Sequence, residues 1–196
     1  PRACNEKELV YQTAHYPKNI AVVGSGPAGL AFAAVAAERG HQVTVFEQSD
    51  SVGGQFNLAK KIPGKEDYQY SLNYFNYQLN KFNVTVHLNT QATVAMLSDF
   101  DEVVLATGIK PRVPNIQGIN HEKVLSYIDV INQTKTVGQR VAIIGAGGIG
   151  FDVAEFLTHE HLKSANPFYD EWGIDIHGVN RGGIKKPQLS ASPREV

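Results

Sequence analysis

The stretch Asn19 to Gly29, NIAVVGSGPAG, constrains this chain more than any other. Four apolar residues, Ile20 to Val23, read as a short strand that runs into Gly24, Gly26 and Gly29 at G-x-G-x-x-G spacing. The three glycines serve different ends. The first allows a tight turn, the second lets a pyrophosphate approach the backbone, and the third lets helix pack on strand. A helix that starts directly after such a turn offers unpaired N–H groups and the positive end of its dipole to phosphates.

Glycines at this spacing also arise by chance in turns that bind nothing, so the flanking sequence carries the weight. Ala28 to Arg39 is Ala-rich with a helical apolar stripe and is followed by Gly40, where a helix-ending glycine belongs. His41 to Gln48, HQVTVFEQ, reads as a second strand closing on Glu47. Glu47 lies 23 residues after Gly24, close to the roughly 20-residue offset of a carboxylate that accepts hydrogen bonds from a ribose. Strand, turn, helix and acid together predict a dinucleotide site.

Composition narrows the function classes. The chain has 196 residues, 42% hydrophobic and 19% charged, enough to bury a core. A net charge of -1 argues against a nucleic-acid surface or a polybasic membrane anchor. No apolar run reaches the roughly 20 residues that span a bilayer, and no secretory pattern opens the chain. One cysteine permits no internal disulfide, and a cytoplasmic setting is the default. The first 18 residues lack periodicity and read as a linker entering from an upstream segment.

Beyond Glu47, Gly53-Gly54 permits another close backbone approach and Gln55 offers an amide, although a Gly-Gly pair alone also describes a flexible turn. Ile62-Pro63-Gly64-Lys65 is a turn presenting one cation. Asp67 to Phe82 is a predicted helix whose Tyr68, Leu72, Phe75, Leu79 and Phe82 form one face. Tyr70, Tyr74 and Tyr77 make a second stripe, read as packing because the basic groove of a base-stacking platform is lacking. Asn83 to Leu88 alternates like a strand, Asn89 to Thr93 carries the chain over the sheet edge, and Phe100 to Thr107 reads as a buried strand entering Gly108. Ser126 to Thr134 is a predicted short helix with Ser126 as N-cap and Asp129 completing a capping box.

Gln139 to Leu157, QRVAIIGAGGIGFDVAEFL, repeats the opening design. Val141 to Ile144 reads as a strand leading into Gly145, Gly147 and Gly150 and then a helix, 121 residues after the first turn. Two such sites imply two dinucleotides and electron transfer between them. The continuation is expected to carry a ribose-reading acid near position 170, but Thr158 to Val196 reads as loop throughout, with Asp170-Glu171 on no recognisable strand. His159-Glu160-His161 lacks the i, i+4 spacing of a helical zinc pair and reads as a solvated helix end. Trp172 reads as a packing residue.

GSGPAG, VGGQF, IPGK, Ala106-Thr107-Gly108, VLSYIDV and GAGGIGFDVA occur in that order. Together with PRAC, EWGID and SPR, they make the chain resemble the C-terminal flavin and pyridine-nucleotide portion of bacterial NADPH-dependent 2,4-dienoyl-CoA reductases. That family is related to trimethylamine dehydrogenase and to NADH oxidases of the old yellow enzyme group. The resemblance covers nearly the whole chain.

The resemblance implies an α/β, Rossmann-like parallel sheet with flanking helices, with a second nucleotide domain that is truncated. Residues 1–18 would be the linker from an absent barrel, 19–137 an FAD-binding domain, and 138–196 the first part of an NADPH-binding domain. Gly24, Ser25, Gly26, Pro27, Ala28 and Gly29 would hold the FAD pyrophosphate. Glu47, followed by Gln48, would take the adenosine ribose. Gly54, Gln55 and Lys65 would contact the FAD beyond it, and Ala92 the adenine side. Ala106, Thr107 and Gly108 look like a second FAD motif. Gly145, Gly147, Gly148, Ile149 and Gly150 look like the NADPH turn. Family members also carry FMN and a [4Fe–4S] cluster in the N-terminal part, which is expected to hold the proton donors and cluster cysteines. No residue here is therefore assigned as catalytic, and Cys4 is not assigned as a ligand. The implied activity of the parent is reduction of 2,4-dienoyl-CoA in fatty-acid degradation. The alternatives are another flavoprotein of the same group (an NADH oxidase, enoate reductase or amine dehydrogenase) or a non-catalytic nucleotide-binding module.

Overall fold

Apolar β-branched runs alternating with an Ala-rich helix build a parallel sheet, because only a crossover helix can join parallel neighbours. A computed structural model describes residues 4–159, 166–189 and 191–196 of the chain. Four strands form one sheet: β1 (Asn19–Val23), β2 (Gln42–Phe46), β3 (Thr85–His87) and β4 (Glu102–Leu105), in the spatial order β3-β2-β1-β4. Every pairing is parallel; Asn19 faces Gln42, Ile20 faces Glu102 and Thr44 faces Thr85. The fold is thus the expected α/β, Rossmann-like one.

β1 is central, and Ala21 and Val22 are fully buried, as befits a strand covered on both faces. The crossover helix α1 (Pro27–Glu38) buries Leu30 and Ala33 completely against the sheet side of the core. Its small side chains let backbone approach backbone. Gly40 ends the helix as expected, donating to the Ala37 carbonyl while His41 donates to that of Ala36. Residues 12–18 are pinned here too: Ala14 N–H donates to Arg39 O, and the Lys18 N–H reaches His41 Nδ1.

A one-turn helix, α2 (Phe56–Ala59), precedes α3 (Tyr68–Lys81). α3 turns its predicted face inward, with Leu72 and Leu79 buried and Phe75 and Phe82 packed against the core. The second stripe is corrected: Tyr70, Tyr74 and Tyr77 are 71%, 56% and 63% exposed. A helix lying on a single sheet buries one stripe, and these tyrosines fall outside it. A short helix unforeseen in the sequence, α4 (Val94–Leu97), starts from Thr93, whose hydroxyl accepts the Met96 N–H. The expected buried strand Phe100 to Thr107 is corrected as well. β4 is the sheet edge, so Val103 and Leu105 stay 40% and 74% exposed.

The chain divides into two units, one of residues up to Lys60 with Lys65–Ile119, the other of Lys61–Gly64 with Asn120–Val196. In the second, α5 (Tyr127–Ile131) has the predicted capping box: the Ser126 hydroxyl takes the Asp129 N–H, and Asp129 takes the Ser126 N–H. It packs on α6 (Gly148–Thr158), with Val130, Ile131, Val153, Phe156 and Leu157 buried. The expected uniform loop after Thr158 is corrected. α7 (Asn166–Glu171), a 3-10 turn at Arg181–Gly183 and an antiparallel bridge between Ile174 and Ile184 give it local structure. Trp172 is 67% exposed rather than packed away, with its ring 6.0 Å from that of Phe168. No helix among the described residues is long and apolar enough to cross a membrane.

Candidate functional site

The first glycine turn is shaped by two close approaches. Gly24 sits at φ 99°, a left-handed conformation that disfavours any side chain, and a Cβ there would strike the Ala106 carbonyl. A Cβ on Gly29 would fall onto the carbonyl oxygen of Gly24, so only glycine lets α1 start this near β1. Gly26, by contrast, has open space where a Cβ would be. It is the N-cap of α1, in extended geometry with no capping side chain, and Pro27 follows at the first helical position. The N–H groups of Ala28 and Gly29 thus belong to the unpaired first turn of a twelve-residue helix. Such donors with clear access suit a pyrophosphate.

Glu47 follows β2 directly and is only 7% exposed. Its Oε2 accepts hydrogen bonds from the Ser25 N–H (2.8 Å) and the Ser25 hydroxyl (2.6 Å), and its Oε1 accepts the Ser49 N–H (2.9 Å). Burial by itself pushes the carboxyl pKa up, but these donors outweigh it and hold the group below the ordinary carboxylate range. The sheet therefore delivers a buried, ionised acceptor to the glycine turn.

Other anticipated segments gather around the same two features. Gly53 donates its N–H to the Ser25 carbonyl, and Gly54 lies against Gly26 close enough that a Cβ would sit 3.0 Å from its Cα. The Gly-Gly pair is therefore docked on the turn. Gln55, exposed, follows as the N-cap of α2, and Gln48 is exposed beside Glu47. The loop leading to Ala92 is tied back by Thr90 N–H to Glu47 O and Asn89 N–H to Ser49 O. Ala106 N–H donates to Val23 O, which brings Ala106 and Thr107 against Gly24, with Gly108 next. Lys65 lies in the turn before α3, where its carbonyl accepts the Tyr68 N–H. Sequence reading missed Ser49 and Thr90, whose backbone N–H groups tie to Glu47 and leave no signature in the residue type.

The second turn copies the first in its glycines. Gly145 is at φ 119°, Gly147 caps α6 in extended geometry, and a Cβ on Gly150 would fall onto the Gly145 carbonyl. Gly148 and Ile149 open the helix, with Ile149 51% exposed. One expectation is corrected. Val141 to Ile144 forms no strand; its partner among the described residues is a parallel bridge of Arg140 with Glu195, in which Val141 N–H donates to Glu195 O and Glu195 N–H to Gln139 O. Without a neighbouring strand this segment has no ladder to join.

Asp170-Glu171 lies on no strand, as the sequence suggests. These residues end α7, and Asp170 is paired with Lys185 at 2.5 Å. In the first unit Gln42 N–H donates to Lys18 O, six residues before Gly24; Glu195 makes the matching bond to Gln139, six residues before Gly145. Glu195 thus holds the place of Gln42 in this backbone pattern. In the His159-Glu160-His161 cluster, Glu160 and His161 lie outside the described residues. His159 closes α6, its Nδ1 3.3 Å from Glu155. Cys4 is exposed with a free thiol.

Comparison with known proteins agrees with this architecture. Residues 18–164 match the family model described as pyridine nucleotide-disulphide oxidoreductase. A metal reductase of Desulforamulus reducens is 37% identical over 80% of this chain, and a cinnamate reductase of Clostridium sporogenes 36% identical over 82%. A solved structure of 2-naphthoyl-CoA reductase with 2-naphthoyl-CoA superposes with a TM-score of 0.75 and 36% identity, covering 80% of this chain. The chain spans 24% of the length of each of these three proteins. It belongs to the pyridine nucleotide-disulphide oxidoreductase family, and is close to flavoprotein oxidoreductases of the enoate and naphthoyl-CoA reductase type.

Proposed function

We propose that this chain is the FAD-binding domain and first part of the NADPH-binding domain of a 2,4-dienoyl-CoA reductase. Gly24 to Gly29 hold the FAD pyrophosphate and Glu47 the adenosine ribose. Gly54, Gln55, Lys65, Ala92 and Ala106 to Gly108 line the remainder, and Gly145 to Gly150 receive the nicotinamide dinucleotide. The observation that carries the reading is the buried carboxylate of Glu47, held ionised on Ser25 inside the turn. A buried anion there accepts ribose hydroxyls and repels a 2′-phosphate, which favours FAD over NADPH at this turn. Bound FAD would supply acceptance of a hydride from a nicotinamide and its onward release as electrons.

The substrate assignment rests on the motif resemblance together with the 36% identity to 2-naphthoyl-CoA reductase, whose structure was solved with an acyl-CoA. A second reading has equal identity behind it: the 36% match to cinnamate reductase favours a free enoate substrate. In either case we place the reacting centre in an N-terminal barrel outside this chain, so the chain alone is expected not to reduce either substrate. Titration with ADP, FAD and NADPH tests the site: ADP and FAD should bind, and Glu47→Ala should weaken both. Turnover of 2,4-hexadienoyl-CoA against cinnamate, with this chain joined to a barrel domain of the same polypeptide, decides between the two substrates. Reduction of either by the chain alone would sink the division of labour.

A further inference from the structure

We propose that Ser25 is a positioning residue that decides which oxygen of Glu47 is left to receive a ribose hydroxyl. The proposal rests on the dinucleotide reading of this turn.

A carboxylate oxygen offers about two lone-pair directions. Glu47 Oε2 already accepts two donors from one residue, the Ser25 N–H at 2.8 Å and the Ser25 hydroxyl at 2.6 Å. The hydroxyl distance is that of a charge-assisted bond. Oε1 accepts the Ser49 N–H, and the Ser49 side chain also stabilises the carboxylate. With Oε2 taken up by Ser25, the oxygen left to face a ribose hydroxyl is Oε1.

Ser25 has little freedom to release its hold. Its side chain is fully buried, so water offers no alternative partner. Its backbone is fixed on the other side by the Gly53 N–H on its carbonyl. In the second turn the equivalent position, first after the opening glycine, is Ala146. That turn has no hydroxyl to set a carboxylate, so the device belongs to the first turn and not to the glycine pattern. The segments beside Glu47 also carry His87, whose ring stacks on Phe46, and Asp50, which accepts from Ser51. Neither bonds the Glu47 carboxylate; Ser25 and Ser49 do.

The proposal is tested by ADP binding, measured by calorimetry from about pH 4.5 to pH 8 in the 196-residue chain and its Ser25→Ala variant, with the Glu47 carboxyl titration followed by carbon NMR. Ser25→Ala keeps the backbone donor and loses the hydroxyl. It should bind ADP roughly tenfold more weakly at neutral pH. The acid limb of binding and the carboxyl titration should both move to higher pH. Unchanged affinity with an unmoved acid limb overturns the proposal. Tighter binding also overturns it, since the hydroxyl would then be a competitor of the ribose. If the wild-type chain binds no ADP, the dinucleotide reading falls and the ribose role with it. If ADP binds but the carboxyl titration of Ser25→Ala does not move, Ser25 alone is ruled out.

Discussion

The two glycine turns of this chain have nearly the same backbone and very different surroundings. In each, the opening glycine is left-handed, the second caps a helix, and the third abuts the carbonyl of the first. Around the first stand four parallel strands, and Leu30, the residue after Gly29, is fully buried. The position after Gly150 is Phe151, 68% exposed, and among the described residues the flanking segment has one bridge, to Glu195. The turn is thus a local structure that its glycines specify. The site is not local, because its acid, its docked Gly-Gly pair and its second motif come from other parts of the chain.

The sharpest way to break this comparison is to give each third glycine a methyl group. Gly29→Ala should cost about 3 kcal/mol, because a backbone carbonyl blocks the methyl and α1 cannot retreat from a closed core. Gly150→Ala meets the same clash but carries an exposed flank, so about 1 kcal/mol is expected. Urea denaturation of the two variants checks this; equal losses would mean that the surroundings of the turns do not differ energetically. Next in size is ligand binding. Glu47→Ala should weaken ADP binding roughly tenfold or more, whereas Asp170→Ala, at the naive offset in the second motif, should leave nucleotide titrations unchanged.

A smaller effect is expected with pH. The folded-state pKa of Glu47 lies below the ordinary value, so its contribution to stability is complete above the unfolded pKa. It fades as pH falls through the lowered folded value. Measured by denaturation between about pH 6 and pH 3, wild type should lose stability relative to Glu47→Gln. A gap independent of pH would show that the carboxylate is not held as described. The smallest effect concerns the bridge of the second turn. Glu195→Pro removes the N–H that Gln139 accepts and should cost about 1 kcal/mol, while Glu195→Ala, which keeps it, should cost almost nothing.

Reading the sequence succeeds where the physics is short-range. Ser126 and Asp129 announce their capping box, Gly40 its helix end, and Leu72 and Leu79 their buried face, since each depends on neighbours within a few residues. It fails where the answer depends on what lies on the far side of an element. Phe100 to Thr107 is apolar enough for a central strand, but no strand in this sheet covers its outer side, so Leu105 remains exposed. Val141 to Ile144 resembles Ile20 to Val23 in composition and forms no strand, because composition does not supply hydrogen-bonding neighbours. The tyrosine stripe of α3 misleads for the same reason: spacing shows that three residues share a face, not whether anything covers it.

By itself the sequence determined the two turns, the helices that follow them, and the acid at the right distance from the first, because glycine sterics, capping and periodicity act over a few residues. Only the tertiary structure decided that Glu47 is buried and bound to Ser25, that Gly53 and Gly54 dock on the turn, and that the second motif returns at Glu195 instead of near Asp170. Those are contacts between residues 22 to 56 positions apart, and the energy that selects them comes from closing the sheet and its core, to which no single stretch contributes alone.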